Sequence, residues 1–353
     1  MIAPPSTELE HDEAVVGADE RGGAARLSRR LAETPELGVV LACVVVFLGV
    51  YAAKSSFANG ANLQEMGRNL AEYGTLAIGE SFVILTGGID LSVGSLAAVS
   101  AVFSAFLVDD HGVPLVPALI ITILVCAAVG FMHGWFITRL NVPAFVITLV
   151  TYTAGRGVAQ ALTKSVPVTI ADTTFQGISR TQIVGIPLST FIFVVIAIVA
   201  WFVLERTFVG RQIYAVGGNR EAARLAGIDT SRRIMSTYVI SATLAGVVGI
   251  VIASRLGLGD PSVAQGYELQ AIAAAVIGGV SLSGGQGRIV GIAAGGVLLV
   301  LISDGLIVLN VSPYYQQIVL GIVLGLAITA DRLRARRLTR PRKLVARAAG
   351  AST

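Results

Sequence analysis

Residues 207–233 read T-F-V-G-R-Q-I-Y-A-V-G-G-N-R-E-A-A-R-L-A-G-I-D-T-S-R-R, a long polar and strongly basic segment between apolar blocks. Its part 219–225 predicts a short helix. Asn219 is a favourable N-cap, Glu221 falls in the first turn, and Gly227 stands where a helix-ending glycine is common. Because a water-exposed helix between two membrane spans is a natural docking surface, we expect this basic segment to meet a partner.

The composition is that of a membrane protein. Of the 353 residues, 54% are hydrophobic and 14% are charged, whereas soluble domains carry roughly 25% charged residues. The 40 glycines exceed the usual share and suit the close packing of membrane helices. Cys43 and Cys126 each lie in an apolar run and are expected to be inert packing residues.

The apolar runs predict an all-α, polytopic membrane protein with about ten transmembrane helices. The predicted spans are 36–53, 64–86, 91–108, 115–138, 144–162, 188–206, 234–255, 269–281, 289–309 and 315–331. The eighth is too short to cross alone, so it is expected to tilt, to break or to be re-entrant.

The distribution of arginine predicts the orientation of these spans. The predicted inner positions are Arg139, Arg206, Arg211, Arg220, Arg224, Arg232, Arg233 and Arg288, followed by Arg332, Arg334, Arg336, Arg337, Arg340, Arg342 and Lys343. The predicted outer positions are Asp109, Asp110, Asp172, Asp260 and Glu268, with Lys54, Lys164, Arg180 and Arg255. Both termini are therefore expected in the cytoplasm, on the same side as the basic segment.

Three regions follow from this assignment. Residues 1–35 are expected to form a disordered cytoplasmic tail, residues 36–332 the transmembrane domain, and residues 333–353 a basic cytoplasmic tail. The longest outer connection, 163–187, suits a structured segment that meets a soluble partner, although an idle loop fits the sequence equally well.

A short internal repeat joins two predicted turns. Residues 87–94 (G-G-I-D-L-S-V-G) align with residues 278–285 (G-G-V-S-L-S-G-G) at five of eight positions, and each copy ends one span and begins another. Asp90 is expected to begin a helix, either as a cap or as part of a joint at which glycines allow bending. Chance similarity between two Gly/Ser-rich turns remains the alternative. The predicted gating residues are Gly87, Gly88, Asp90, Ser92, Gly94, Gly278 and Gly279.

Two charged residues fall inside apolar runs, Glu80 and Arg156. A charge at the bilayer centre costs roughly 2.5–3.5 kcal/mol on insertion scales, so the two are expected either to pair with each other or to line a polar path. The residues predicted for a substrate path of a hydroxylated solute are Asn69, Glu72, Glu80, Tyr152, Arg156 and Gln160.

The sequence gives little support for an enzyme. Residues 282–286 (L-S-G-G-Q) match the signature of ATP-binding cassette (ABC) ATPases, but G-x-x-x-x-G-K-[ST] occurs nowhere in the chain, so ATP binding is not expected. The three histidines show no metal-ligand spacing, and no nucleophile–base arrangement stands out. No catalytic residue, metal, cofactor or nucleic-acid partner is predicted.

Several stretches together resemble the ABC permeases of the ribose and monosaccharide import type, over roughly residues 37–332. The matching stretches are 86–94 (T-G-G-I-D-L-S-V-G), 217–219 (G-G-N), 221–228 (E-A-A-R-L-A-G-I), 266–269 (G-Y-E-L), 272–274 (I-A-A), 278–288 from G-G to G-R, Ser312, 314–316 (Y-Y-Q) and Asp331. Glu80 and Asp304 depart from the neutral residues expected in many relatives.

The resemblance implies a homodimeric permease in the cell membrane, with an importer's usual partners. Cytoplasmic ABC ATPase subunits would dock on the helix at 219–225, and an extracytoplasmic sugar-binding protein would dock on the outer face. The residues implied in coupling to the ATPase are Gly218, Asn219, Arg220, Glu221, Arg224 and Gly227. The solute implied is a ribose-like pentose, a hexose or a related polyol.

Three rival interpretations stay open at this point. The related permeases for branched-chain amino acids share the architecture, and a solute uptake panel separates the two. An ion-coupled secondary transporter would use Glu80 and Asp90 as cation sites and would need no ATPase. A structural membrane scaffold is disfavoured by the charged residues in the spans and the mid-span glycines.

Overall fold

The structure, a computed structural model, describes residues 35–339. The predicted tail at 1–35 lies outside the described residues except for its last position. The predicted tail at 333–353 begins inside the last helix, which continues to Thr339, and its remainder lies outside the described residues as well.

The described chain is helical almost throughout. The helices are α1 (Pro35–Ala53), α2 (Gly60–Leu85), α3 (Val93–Ala105), α4 (Leu115–Arg139), α5 (Ala144–Thr163), α6 (Thr173–Arg180), α7 (Leu188–Trp201), α8 (Phe208–Gly218), α9 (Arg220–Leu225), α10 (Thr230–Leu256), α11 (Tyr267–Ile277), α12 (Ile289–Val308) and α13 (Pro313–Thr339). One π-helical turn extends α3 over Phe106–Asp110 and another extends α7 over Phe202–Arg206, while Ser55–Ala58 form a 3-10 turn.

Each predicted span contains one of these helices. Within residues 35–339, six helices are long and apolar enough to cross a membrane: α1, α3 with its π turn, α4, α7 with its π turn, α10 and α12. Helix α11 has eleven residues, which is about 16 Å of helix against a hydrocarbon core of about 30 Å. It therefore cannot cross alone, as its short apolar run predicted.

Helix α10 lies at the centre of the molecule and packs against α2, α3 and α4. Its buried side chains Ala242, Ala245 and Val248 meet Leu96 of α3 in one apolar cluster. Small side chains dominate these contacts and let the helices approach closely. In lipid, such close van der Waals packing replaces the hydrophobic effect as the force that holds helices together. Helices α11 and α12 pack on the other side of α2, so α2 and α10 connect the two halves of the bundle.

The two ends of the bundle carry different elements. At one end, called here the α9 end, α8 and α9 lie beside the turns 86–92 and 278–288. At the opposite end, called the α6 end, α6 packs on α10 and β1 (Val168–Thr169) pairs antiparallel with β4 (Leu258–Gly259). The connection 163–187 is therefore structured, with β2 (Gln182–Ile183) and β3 (Ile186–Pro187) forming a small hairpin.

The charges are distributed between the two ends in the predicted way. Arg288 lies near Glu36 of α1 at the α9 end, with 3.9 Å between Nη1 and Oε1. Lys54 donates to the Val308 carbonyl at 2.8 Å, and Arg180 donates to the Arg255 carbonyl at 3.1 Å, both at the α6 end. Arg288, predicted as inner, thus lies at the opposite end from Lys54, Arg180 and Arg255, predicted as outer, and which end faces the cytoplasm stays a prediction.

Candidate functional site

Helix α9 forms where the basic segment predicted it, with the predicted caps. Asn219 is its N-cap, and Asn219 Oδ1 accepts from the Ala222 amide at 2.9 Å. Gly227 has φ +81°, a left-handed conformation that glycine adopts at little cost. The Gly227 and Ile228 amides donate to the carbonyls of Arg224 and Ala223, each at 3.0 Å, which closes the end of the helix.

The outer surface of α9 carries charges that contribute little to the stability of the fold. Arg224 forms a two-point ion pair with Glu221, at 2.6 Å for Nη2–Oε1 and 3.1 Å for Nε–Oε2. Both side chains are 65% exposed, and exposed pairs of this kind contribute about 0–1 kcal/mol. The hydrogen bonds from Arg224 lower the pKa of Glu221 below its usual value, so Glu221 is ionised at neutral pH.

An exposed leucine lies beside this ion pair. Leu225 is 77% exposed at the last position of α9, and Arg220 is exposed at the first. Sequence reasoning named the charged residues and missed Leu225. An apolar residue four positions after Glu221 on a helix otherwise facing water was the available signal. The surface of α9 thus combines an apolar contact with paired charges.

The inner face of α9 is anchored by a single side chain. Ala223 is buried in a cluster with Val83 of α2, Val216 of α8, and Ile234 and Tyr238 of α10. Helix α9 therefore rests through Ala223 on three neighbouring helices.

Three glycine-containing segments meet next to α9, backbone against backbone. They are 85–88 after α2, 217–218 at the end of α8, and 284–285 before α12, and we call this contact the glycine junction. The Gly285 amide donates to the Leu85 carbonyl at 3.0 Å. A Cβ at Gly217 would overlap the Leu85 carbonyl oxygen and lie 2.6 Å from the Gly285 nitrogen, so only glycine fits there.

Gly218 was predicted to take part in coupling, but the close backbone contact is made by Gly217, one position earlier. A Cβ at Gly218 would meet no atom within 4 Å, in contrast to Gly217. The sequence shows both glycines but cannot tell which of them must be glycine. The need for glycine at 217 comes from the carbonyl of Leu85, more than a hundred positions away in the chain.

The junction joins both copies of the internal repeat, which are also alike locally. In the first copy the Ser92 amide donates to Asp90 Oδ1 at 3.0 Å, and in the second the Ser283 amide donates to Ser281 Oγ at 3.3 Å. The two aligned positions thus make the same type of turn. This agreement favours a genuine repeat over chance similarity.

Asp90 anchors the turn 86–92 rather than beginning a helix. Helix α3 begins at Val93, three residues later than the sequence predicted. Asp90 is fully buried. Its carboxylate accepts from Ser92 Oγ at 2.5 Å and from Ser241 Oγ of α10 at 2.9 Å, and its amide donates to Glu80 Oε1 at 3.0 Å. Hydrogen bonds offset the cost of burying this carboxylate and tie the turn to α2 and α10.

The remaining predicted gating residues lie in or beside this turn and in the turn that follows α11. Gly87 has φ +82° and Gly279 has φ +92°. Gly88 lies against the Tyr238 hydroxyl, and Gly94 lies against Glu268 and the Ala264 carbonyl. Gly278 ends α11 in close contact with Gly291 of α12. All seven therefore occur where helices end or touch.

Replacing Ser241 with alanine is expected to lower the melting temperature of the detergent-solubilised protein. The change leaves Asp90 Oδ2 buried without its donor, at a cost of about 1–3 kcal/mol. Ser104→Ala is the matched control. Ser104 is also buried, but its Oγ donates at 2.7 Å to the Ser100 carbonyl within its own helix. Equal melting temperatures for the two variants would contradict the anchoring role of Asp90.

The six residues predicted for a substrate path fall in three separate places. Asn69 and Glu72 belong to a charged cluster near the α6 end. There Arg255 Nη1 lies 3.2 Å from Glu72 Oε1 and 2.8 Å from Asn69 Oδ1, and Asn69 Nδ2 donates to Asp304 Oδ1 at 2.9 Å. Asp304, which departs from the family pattern, is thus bound to this cluster through Oδ1, while its Oδ2 is buried without a hydrogen-bond donor among the described residues.

Glu80 and Arg156 do not pair with each other, which was one of the two alternatives expected for them. Glu80 accepts from the Asp90 amide. Arg156 instead donates to the carbonyls of Pro261, Val263 and Ala264, at 3.3, 2.5 and 2.8 Å. Carbonyl oxygens of a nearby loop thus accept from both terminal nitrogens of the guanidinium, while Arg156 Nε has no acceptor among the described residues. The sequence gives no sign of these carbonyls, since every residue has one.

The two other predicted path residues lie on the same helix as Arg156. The Tyr152 ring centroid is 6.0 Å from Arg156 Cζ, a weak cation–π contact. Gln160 is exposed on the surface of α5. The structure thus brings Asn69 and Glu72 together, and separately Tyr152 and Arg156, but forms no single constellation from the six.

Comparison with known proteins identifies the family. Residues 67–328 match the family described as the permease component of the branched-chain amino acid transport system. The ribose import permease of Bacillus subtilis is 37% identical over 299 residues, covering 84% of this chain and 92% of the relative. No solved structure gives a significant match.

Two further relatives carry other sugar names. The D-allose transport system permease protein of Escherichia coli K12 is 36% identical over 73% of this chain and 79% of its own length. The L-arabinose ABC transporter permease protein of Azospirillum brasilense is 32% identical over 94% of this chain and 96% of its own length. The chain is therefore a multi-pass membrane protein that belongs to the ABC transporter permeases of the sugar-import type.

Proposed function

We propose that this chain is the membrane permease subunit of an ABC importer that carries a monosaccharide into the cell, with ATP hydrolysed in separate subunits docked on α9. The observation that carries the coupling role is α9 itself. It is capped at both ends, exposes charged and apolar side chains, and rests with its inner face on three helix ends. The names of the relatives support a monosaccharide as the solute.

The proposed topology has about ten membrane segments, with both termini in the cytoplasm. The segregation of arginine supports it, since the α9 end carries the residues that the positive-inside rule places in the cytoplasm. The α6 end then faces outward. Its structured connection, with α6, the β2–β3 hairpin and the β1–β4 strand pair, is the proposed docking surface for an extracytoplasmic sugar-binding protein.

The proposed mechanism passes force from the ATPases through the glycine junction. A movement of α9 shifts α8 and the start of α10, and the direct backbone contact at Gly217 transmits the shift to both turns of the repeat. Packed helices respond to such a shift as rigid bodies, so α2 with α3, and α11 with α12, change their relative tilt. Two copies of the chain, rocking against each other, would open the path alternately to either side.

Reconstitution in proteoliposomes tests this function. The chain is combined with its ATPase subunits and its binding protein, and uptake of labelled ribose, allose, arabinose, leucine and valine is measured with and without ATP. We expect uptake of a monosaccharide that requires ATP. Uptake of leucine or valine alone would assign the chain to the amino acid importers, and uptake driven by an ion gradient without ATPase subunits would overturn the coupling role.

A further inference from the structure

A cavity of about 340 Å³ lies between α11, α12 and α13. This volume is within the range of roughly 300–1,000 Å³ that is typical of small-molecule sites. Its walls include three glutamines, Gln265, Gln270 and Gln317, and several leucines, among them Leu269 and Leu299. Gln265 precedes α11 and Gln317 lies near the start of α13, so the cavity is nearer the α6 end, which we propose faces outward.

The glutamines give the cavity unused hydrogen-bonding capacity. Gln270 Oε1 is buried and accepts no hydrogen bond from the described residues, and an unpaired buried amide oxygen costs about 1–3 kcal/mol. Amide side chains both donate and accept, which matches the hydroxyl groups of a sugar. Polar groups within a membrane protein usually face a cavity or a partner rather than lipid, which is consistent with a path through this space.

The cavity is also uncharged. No Asp, Glu, Lys or Arg of residues 35–339 is among its lining residues. A zwitterionic amino acid brought into such a space would lose the hydration of both charges without a partner for either, which is costly. An uncharged polyol loses only hydrogen bonds that the three amides can replace, and the leucines offer apolar surface to its C–H groups.

We infer that this cavity holds the solute in transit and selects an uncharged, polyhydroxylated molecule of monosaccharide size, an inference that rests on the proposed import function. Gln270 and Gln317 orient the solute through its hydroxyls, from opposite walls. Helix α11, which forms one wall, runs on past the cavity and ends just before Gly278, the first residue of the second repeat copy. The helix therefore links the cavity to the turn that the glycine junction holds, and a tilt of α11 changes the shape of the cavity.

A filling substitution tests the cavity directly. Gly321 lines it, and a Cβ built there meets no atom within 4 Å, so Gly321→Phe places a ring in the space without a clash at its first atom. We expect ATP-dependent uptake of the transported monosaccharide to fall by about tenfold or more, because the ring takes volume that the solute needs. The amount of protein in the membrane is expected to match wild type.

Gly325→Phe is the matched control. Gly325 lies one turn further along α13, its Cβ position is equally open, and it does not line the cavity. We expect uptake close to that of wild type. An equal loss in both variants would overturn the inference, because the effect would then belong to the surface of the helix and not to the cavity.

A second pair of variants tests the chemistry of the walls. Gln270→Leu and Gln317→Leu keep the size of the side chain and remove its hydrogen bonds, so we expect an increased KM for uptake while the binding protein still stimulates ATP hydrolysis. Unchanged KM in both would overturn the assigned role of the glutamines. A wild-type protein that transports no monosaccharide would refute the proposed function itself, whereas wild-type uptake with normal Gly321→Phe uptake would refute only the cavity.

Discussion

Gly217→Ala is expected to lower ATP-dependent uptake by about tenfold or more, since overpacking of a close contact costs about 1–3 kcal/mol. The added methyl group would overlap the Leu85 carbonyl oxygen and crowd the Gly285 amide, which donates to that carbonyl. Backbone atoms on both sides leave no flexible side chain to move away. The three segments of the glycine junction must therefore separate, and movement of α9 would no longer reach both turns of the repeat.

The measurement compares uptake with the ATPase activity of the assembled complex. A separated junction predicts that ATP is still hydrolysed while little solute is carried. Gly49→Ala in α1 is the control, because it adds the same methyl group to a helical glycine with no atom within 4 Å. Wild-type uptake by Gly217→Ala would show that the junction does not transmit force.

Glu221→Lys is expected to abolish coupling while leaving the protein folded in the membrane. Glu221 is exposed, and its ion pair with Arg224 contributes about 0–1 kcal/mol, so folding tolerates its loss. The docked ATPase would instead meet a reversed charge beside Leu225, and like charges across an interface cost several kcal/mol. We expect uptake to fall at least about tenfold, and copurification of the ATPase with the permease to fall with it.

A double substitution separates docking from the stability of α9. Glu221→Arg combined with Arg224→Glu restores the ion pair within the helix but exchanges the positions of the charges. If a partner binds the two charges at their original positions, uptake stays low. Recovery of uptake would show that the ion pair serves only the stability of the helix. Gly227→Leu gives an independent check, because a leucine at φ +81° is strained by about 1–2 kcal/mol and distorts the end of α9. Normal uptake by both Glu221→Lys and Gly227→Leu would contradict the docking role.

Local signals in the sequence predicted local structure well. The caps of α9 and the approximate bounds of the spans follow from residues that are neighbours in the chain: Asn219 bonds three positions ahead, and an apolar run is its own evidence of a span. The start of α3 was missed by three residues because Asp90 bonds to Ser241 of α10 as well as to its own turn. That competing partner is 151 positions away.

Contacts between distant segments could not be predicted in the same way. Nothing near Arg156 in the chain shows that the carbonyls of residues 261–264 surround it, since every residue has a carbonyl. The cavity glutamines were missed for a related reason. Gln265 and Gln270 precede Gln317 by some fifty positions, and only the packing of α11 against α13 brings them to one space. A polar amide recurring in otherwise apolar helices was the signal available.

The three hydrogen bonds from Arg156 have a mechanical consequence for the α6 end of the bundle. They fasten the link between α10 and α11 to the middle of α5, at a point where the link has no regular structure of its own. The link cannot swing aside like a separate flap unless these bonds break. Any widening at that end has to displace α5 as well, so the α10–α11 link and α5 move together as one rigid unit.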